Sequence, residues 1–221
     1  MLNLLFPKIC NGCRELLSGS ETVLCTQCRH DLPLVCHHRN NNDAMKKMLY
    51  GRIPIANATA LIQFQKRGIT QEILHNLKYR KQEEISFFFG KWLGAELAET
   101  KAYDQIDMVI PVPLHKIKEK KRGYNQVTGF GEEVAKALKV PYYDDVLLKI
   151  SNTNSQVFKK RLTRFGAVEV FDLNRPAAIE NAHVLLVDDI VTTGATLESC
   201  ASQLLKAKNV TISLATIAIT L

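Results

Sequence analysis

No apolar run in the 221-residue chain is long enough to cross a bilayer: residues 210–221, among the longest, fall short of the roughly 20 needed and are broken by threonines and a serine. No membrane insertion is therefore expected. No signal peptide is expected either. Residues 1–7, MLNLLFP, carry no basic n-region and are too brief for a signal peptide, so a cytoplasmic protein is expected. There is no internal repeat and no low-complexity tract. Acidic residues are outnumbered, 22 against 29 lysines and arginines, for a net charge of +7. That excess favours polyanions without naming one, and leaves nucleic acid, an acidic membrane surface and phosphorylated metabolites all open. The length gives room for one sizeable core plus a small appendage.

Cysteine is scarce beyond residue 40, where only Cys200 occurs; the other five lie before it. Cys10-Asn11-Gly12-Cys13 and Cys25-Thr26-Gln27-Cys28 are two CxxC knuckles, and two residues between cysteines let both thiolates reach one ion from a tight turn. Four thiolates complete a tetrahedral Zn²⁺ shell. Disulfides are the alternative, disfavoured by the cytoplasmic expectation and by a segment too poor in large apolar residues to hold its shape without a metal. Spacing alone leaves another metal or a redox role open. With four cysteines sufficient, Cys36 reads as a spare thiol and His37 and His38 as surface residues. Cys200, on an apolar helix face, reads as buried and inert. Residues 1–40 are thus expected to form a zinc-ribbon-like head and 41–221 the main domain.

In that main domain, strand-like runs alternate with helix-like ones. Residues 58–64 read as a strand, Ile73, Leu74 and Leu77 as a short helix with a basic end, and residues 86–100 as a second helix. Its Phe88, Phe89 and Trp92 would make a base-stacking platform only if exposed, and core is the ordinary fate of aromatics at this spacing. Residues 107–113, DMVIPVP, form a strand that must stop near Pro111, because proline cannot serve a central ladder. A basic loop follows, with Lys116, Lys118, Lys120, Lys121 and Arg122, ending in Gly123, Tyr124, Asn125 and Gln126. Its place between a strand end and a helix start is that of a ligand-covering lid. Residues 146–150 are another strand candidate, a second basic run holds Lys159, Lys160, Arg161 and Arg164, and residues 210–219 are expected to close the sheet. The alternation implies an α/β fold with a mostly parallel sheet flanked by helices.

The most informative stretch is 183–200, HVLLVDDIVTTGATLESC. Val184, Leu185, Leu186 and Val187 read as a strand buried on both faces, ended by Asp188 and Asp189. Thr192, Thr193, Gly194, Ala195 and Thr196 then make a small, hydroxylic loop before a helix whose apolar face includes Leu197, Cys200, Ala201 and Leu204. Unpaired N–H groups and the dipole at that helix start favour a phosphate, Gly194 lets the main chain approach it, and two carboxylates one step earlier can meet ribose hydroxyls. Simple strand and helix capping explains one or two of these residues, not the string.

That string resembles the 5-phosphoribosyl-1-pyrophosphate signature of type I phosphoribosyltransferases. The resemblance implies that Asp188 and Asp189 take the ribose hydroxyls, residues 192–196 the 5-phosphate, and that Mg²⁺ is held mainly by the ligand's own oxygens. Over nearly its full length the chain resembles the ComF family. The resemblance rests on the paired CxxC head, the residues 109–114 turn VIPVPL, the residues 121–126 run KRGYNQ, the residues 153–156 element TNSQ, and residues 187–196, VDDIVTTGAT. It departs at Ala167, where the family's Arg-x-x-Asn element would place asparagine, and in offering only Cys36, His37 and His38 where some relatives have further cysteines. The resemblance implies handling of single-stranded DNA in natural competence alongside DNA-uptake and recombination proteins. Phosphates would bind Lys116, Lys118, Lys120, Lys121, Arg122, Lys159, Lys160 and Arg161. An active phosphoribosyltransferase, with Lys121 and Arg122 closing over pyrophosphate, and a zinc-ribbon adaptor with a vestigial pocket are the alternatives. No residue identifies a nucleophile.

Overall fold

The computed structural model describes residues 7–40, 43–150 and 170–221. In chain order its elements are α1 (Thr26–His30), α2 (His37–Asn40), α3 (Ala44–Leu49), β1 (Ala58–Gln63), α4 (Ile69–Tyr79), α5 (Glu84–Ala98), β2 (Met108–Pro111), α6 (Lys116–Arg122), α7 (Thr128–Leu138), β3 (Leu147–Ile150), β4 (Val170–Leu173), β5 (His183–Val191), α8 (Ala195–Leu204) and β6 (Thr211–Ile219).

Four strands form one sheet in the order β1-β6-β5-β2, all parallel. The expected α/β architecture is present, but β6 runs through the middle of the sheet and does not close it. Every residue of β6 after Thr211 is buried. Its polar members are satisfied internally: Thr216 donates to the Ala218 carbonyl at 3.0 Å, and Ser213 meets His183 Nε2 at 2.8 Å. A strand covered on both faces tolerates few polar groups, and each needs a partner. β3 and β4 pair antiparallel as a separate ribbon. The second basic run, with Lys159, Lys160, Arg161 and Arg164, and the residues 153–156 element lie outside the described residues.

The sheet divides two cores. On one side α4, α5 and α7 supply Ile73, Leu77, Phe89, Leu93, Phe130 and Val134 against Leu185 and Val187; on the other, α3 and α8 supply Met45, Leu49, Leu197, Cys200 and Leu204 against Val184 and Leu186. Alternate β5 residues thus serve opposite faces, as strand geometry requires. α5 and α7 cross closely at Gly90, where a Cβ would come within 2.7 Å of the Phe130 carbonyl oxygen.

The segment expected to be a basic loop is a helix. His115 caps α6 by accepting the Ile117 N–H at 3.2 Å, and Gly123, at φ 92°, ends it in the left-handed conformation. Lysine, glutamate and isoleucine between two such caps are adequate helix formers. No residue of α6 is buried.

Residues 33–35 lie along the outer edge of β1. The Val35 N–H donates to Leu61 at 2.9 Å and the Gln63 N–H to Pro33 at 2.8 Å, so the edge is covered. Cys10, Val23, Leu24, Cys28 and Leu32 share a core with Leu61, Ile73 and Phe89. Among the described residues no helix is long and apolar enough to cross a membrane.

Candidate functional site

Asp188 and Asp189 lie inside β5, not after it, since the strand continues to Val191. What stops is β2. Its last pair is Pro111 with Val187, and the Val112 N–H closes the ladder on the Val187 carbonyl at 2.9 Å. The two prolines of residues 111–113 deny β5 a β2 neighbour from Asp188 onward. On its other side β5 stays paired, with Asp188 beside Thr216 of β6. An open sheet edge beyond the carboxyl end of a strand is where ligands bind in α/β folds.

Both acids are buried, at 7% and 3% exposure, so they need partners. Asp188 Oδ1 accepts the Asp189 N–H at 2.8 Å. The Lys78 ammonium, from the end of α4, sits 3.0 Å from Asp189 Oδ2 as an ion pair. A ligand hydroxyl that bonds Asp189 there must share the carboxylate with Lys78 or displace it.

The turn after β5 exposes Thr192, Thr193 and Ala195, half-buries Thr196 and buries Gly194. Gly194 is the N-cap of α8 with φ 76° and ψ 0°, and a Cβ there would fall 2.6 Å from Leu49 Cδ2. Glycine is required twice over, by conformation and by space. Arg52 braces the turn from beneath: it donates to the Thr193 carbonyl at 2.8 Å and pairs with Glu198 in the first turn of α8. Thus a buried carboxylate pair, a hydroxylic turn and a helix start follow one another on a braced corner.

The residues 121–126 segment packs against α4 and α5. Arg122 lies over the Tyr79 ring at 5.5 Å and bonds Gln126; the Tyr124 hydroxyl bonds the Leu77 carbonyl. Asn125 donates to the Val112 carbonyl at 3.1 Å, and Ser86 donates to Gln126 at 2.7 Å. Lys121 and Gly123 are exposed. α4 therefore touches both the acid pair, through Lys78, and this segment, through Leu77 and Tyr79. Neither Lys78 nor Arg52 was singled out in the sequence. Lys78 stands in a basic run at a helix end, where cations are ordinary, and Arg52 belongs to no motif.

In the head, the Sγ atoms of Cys10, Cys13, Cys25 and Cys28 all lie within 4.8 Å of one another, and those of Cys13 and Cys25 are 3.7 Å apart. Metal–sulfur bonds of about 2.3 Å in a tetrahedron put sulfurs about 3.8 Å apart, so the four thiols fit one ion. Burial opposes ionisation of Cys10, yet the N–H groups of Cys25, Cys13 and Gly12 bring it down to about 7. Burial, and then the Cys13, Cys10 and Cys25 sulfurs, push Cys28 up, a crowding that a cation relieves. Beneath α1, Glu21 accepts N–H groups from Ser18 and Thr26, which hold it at about 2.

Cys36 stands outside that cluster and is buried. The histidines are not surface residues. His37 is 2% exposed with neither ring nitrogen hydrogen-bonded among the described residues, and burial lowers its pKa. The His38 ring is enclosed between Thr59 Oγ1 at 2.8 Å and Glu96 Oε2 at 2.9 Å. α2 lies on β1, which turns both rings inward.

Residues 128–219 match the phosphoribosyl transferase domain. β5, the turn after it, α8 and β6 fall within that match. The chain is 28% identical to competence protein ComFC of Bacillus subtilis over 204 residues, 90% of this chain and 78% of that protein. It is 24% identical to competence protein F of Haemophilus influenzae over 210 residues, 90% of this chain and 84% of that protein. DNA utilization protein YhgH of Escherichia coli O157:H7 is 28% identical over 138 residues, 61% of this chain and 60% of the relative. Among solved structures, glutamine phosphoribosylpyrophosphate amidotransferase from B. subtilis aligns with a TM-score of 0.42 at 19% identity, over 63% of this chain and 30% of that one. Over most of its length the chain is thus similar to competence proteins of the ComF type.

Proposed function

We propose that the protein binds 5-phosphoribosyl-1-pyrophosphate with Mg²⁺ at the β5–α8 corner and handles single-stranded DNA in natural competence. The observation that carries the first part is the buried Asp188–Asp189 pair at the point where β2 ends, followed within one turn by the exposed Thr192 and Thr193 and the start of α8. The carboxylates accept from ribose hydroxyls, and the threonine hydroxyls and first N–H groups of α8 donate to the 5-phosphate. Mg²⁺ keeps water and the ligand's phosphate oxygens in its shell. The DNA part is supported by the names of the competence and DNA-utilization relatives and by a basic helix with no buried residue. The head holds one structural Zn²⁺ through Cys10, Cys13, Cys25 and Cys28.

Calorimetric titration with 5-phosphoribosyl-1-pyrophosphate and Mg²⁺ is expected to show saturable binding that Asp188→Asn with Asp189→Asn removes. Equal affinity in the double variant would end this reading. Adding bases, ammonia or single-stranded DNA and following pyrophosphate release tells whether transfer accompanies binding. For the head, metal analysis of protein purified without added metal is expected to find about one zinc per chain; finding none would contradict the metal assignment.

A further inference from the structure

α5 divides its aromatic residues between two environments. Phe89, Leu93 and Leu97 are fully buried, while Phe88 and Trp92, one turn apart on the outer side, are only half-buried. Phe89 is wholly in the core; Phe88 and Trp92 pack against that core and also line a groove of about 470 Å³.

The groove is built across the head and the body. From α1, the Arg29 guanidinium lies 4.9 Å over the Trp92 ring and 6.0 Å from the Phe88 ring centre. Trp92 Nε1–H donates to Glu96 Oε1 at 2.9 Å, and the same carboxylate takes Arg39 at 2.9 Å and His38 at 2.9 Å. Glu96 is 9% exposed and fully engaged, so its charge anchors the indole edge and faces little solvent. With Arg39 paired to Glu96, the remaining charges at the groove are Arg29 and Lys91 against Glu99, an excess of one cation.

Two half-exposed rings, a guanidinium plane stacked on one of them and cations at the rim are the parts of a base-stacking site: every base offers a π-face, and the cations meet the phosphates between bases. We infer that the Arg29–Phe88–Trp92 groove is a stacking site for bases of single-stranded DNA, separate from the β5–α8 corner. It rests on the single-stranded DNA reading above and gives it a location. Arg29 over Trp92 and Phe88 also ties the head to the body, but Lys91 has no part in that tie.

Trp92 is the chain's one tryptophan, so its emission reports on this groove alone. Titration of the full-length protein with a thymidine oligonucleotide is expected to quench that emission along the curve traced by anisotropy of the labelled oligonucleotide. The same sequence as duplex is expected to leave it unquenched. Trp92→Leu and Arg29→Ala are each expected to weaken binding about tenfold, with Trp92→Phe retaining most of it. Binding by anisotropy with unchanged Trp92 emission, or with wild-type affinity in both Arg29→Ala and Trp92→Leu, would overturn the stacking site and leave the DNA reading standing. Absence of binding in every assay would overturn both.

Discussion

The β5–α8 corner, proposed for a sugar phosphate, and the α6 helix, proposed for DNA, are held in opposite ways. At the corner, Gly194 is pressed against Leu49, Arg52 ties Thr193 to Glu198, and Lys78 faces Asp189. α6 has no buried residue and is held by its two caps and by Arg122 over Tyr79. A pentose must be met from several directions at once, which calls for groups fixed on a packed scaffold. A phosphodiester chain needs only charge at roughly the right place, and an unpacked helix suffices.

Two glycines sharpen the contrast most. Gly194 and Gly123 both have positive φ, at 76° and 92°, but a Cβ at Gly123 meets nothing within 4 Å. Gly194→Val is expected to cost about 3 kcal/mol, combining left-handed strain with overpacking, and to abolish ligand binding. Gly123→Ala is expected to cost about 1 kcal/mol, the strain alone. Urea unfolding of the two variants checks this; equal losses would erase the distinction between a packed and an open turn. Next in size is Lys78→Met, which leaves the Asp189 carboxylate buried without its cation. It is expected to lower the stability of the ligand-free protein by about 2 kcal/mol, less than a fully buried pair would lose because Lys78 is 23% exposed. Unchanged stability would show that Asp189 does not depend on that partner.

The elements that the sequence announced are those whose reason is local. The two CxxC knuckles, the stop at Pro111 and the residues 188–196 string each carry their chemistry within a few residues. What was missed depends on neighbours distant in the chain. β6 reads as an alternating strand, and only its pairing with both β1 and β5 makes it central. His37 and His38 look like polar residues after a metal site until α2 is laid on β1 and Glu96 reaches His38 from α5. Lys78 is 111 positions from Asp189 by their numbers, so no window of sequence joins them. The basic run 116–122 has local caps in His115 and Gly123, and these make it a helix despite its crowded like charges.

The central claim is that sugar-phosphate binding and DNA binding use separable groups, one set fixed in the corner and the other carried outside it. The most direct measurement is a crossed pair of titrations, with 5-phosphoribosyl-1-pyrophosphate and with a thymidine oligonucleotide, on Asp188→Asn/Asp189→Asn and on Lys116→Glu/Lys118→Glu/Lys120→Glu. The first variant is expected to lose the sugar phosphate and keep the oligonucleotide. The second is expected to keep the sugar phosphate and bind the oligonucleotide more weakly, with a shallower salt dependence. Loss of both ligands in either variant, with the fold intact by circular dichroism, would contradict it.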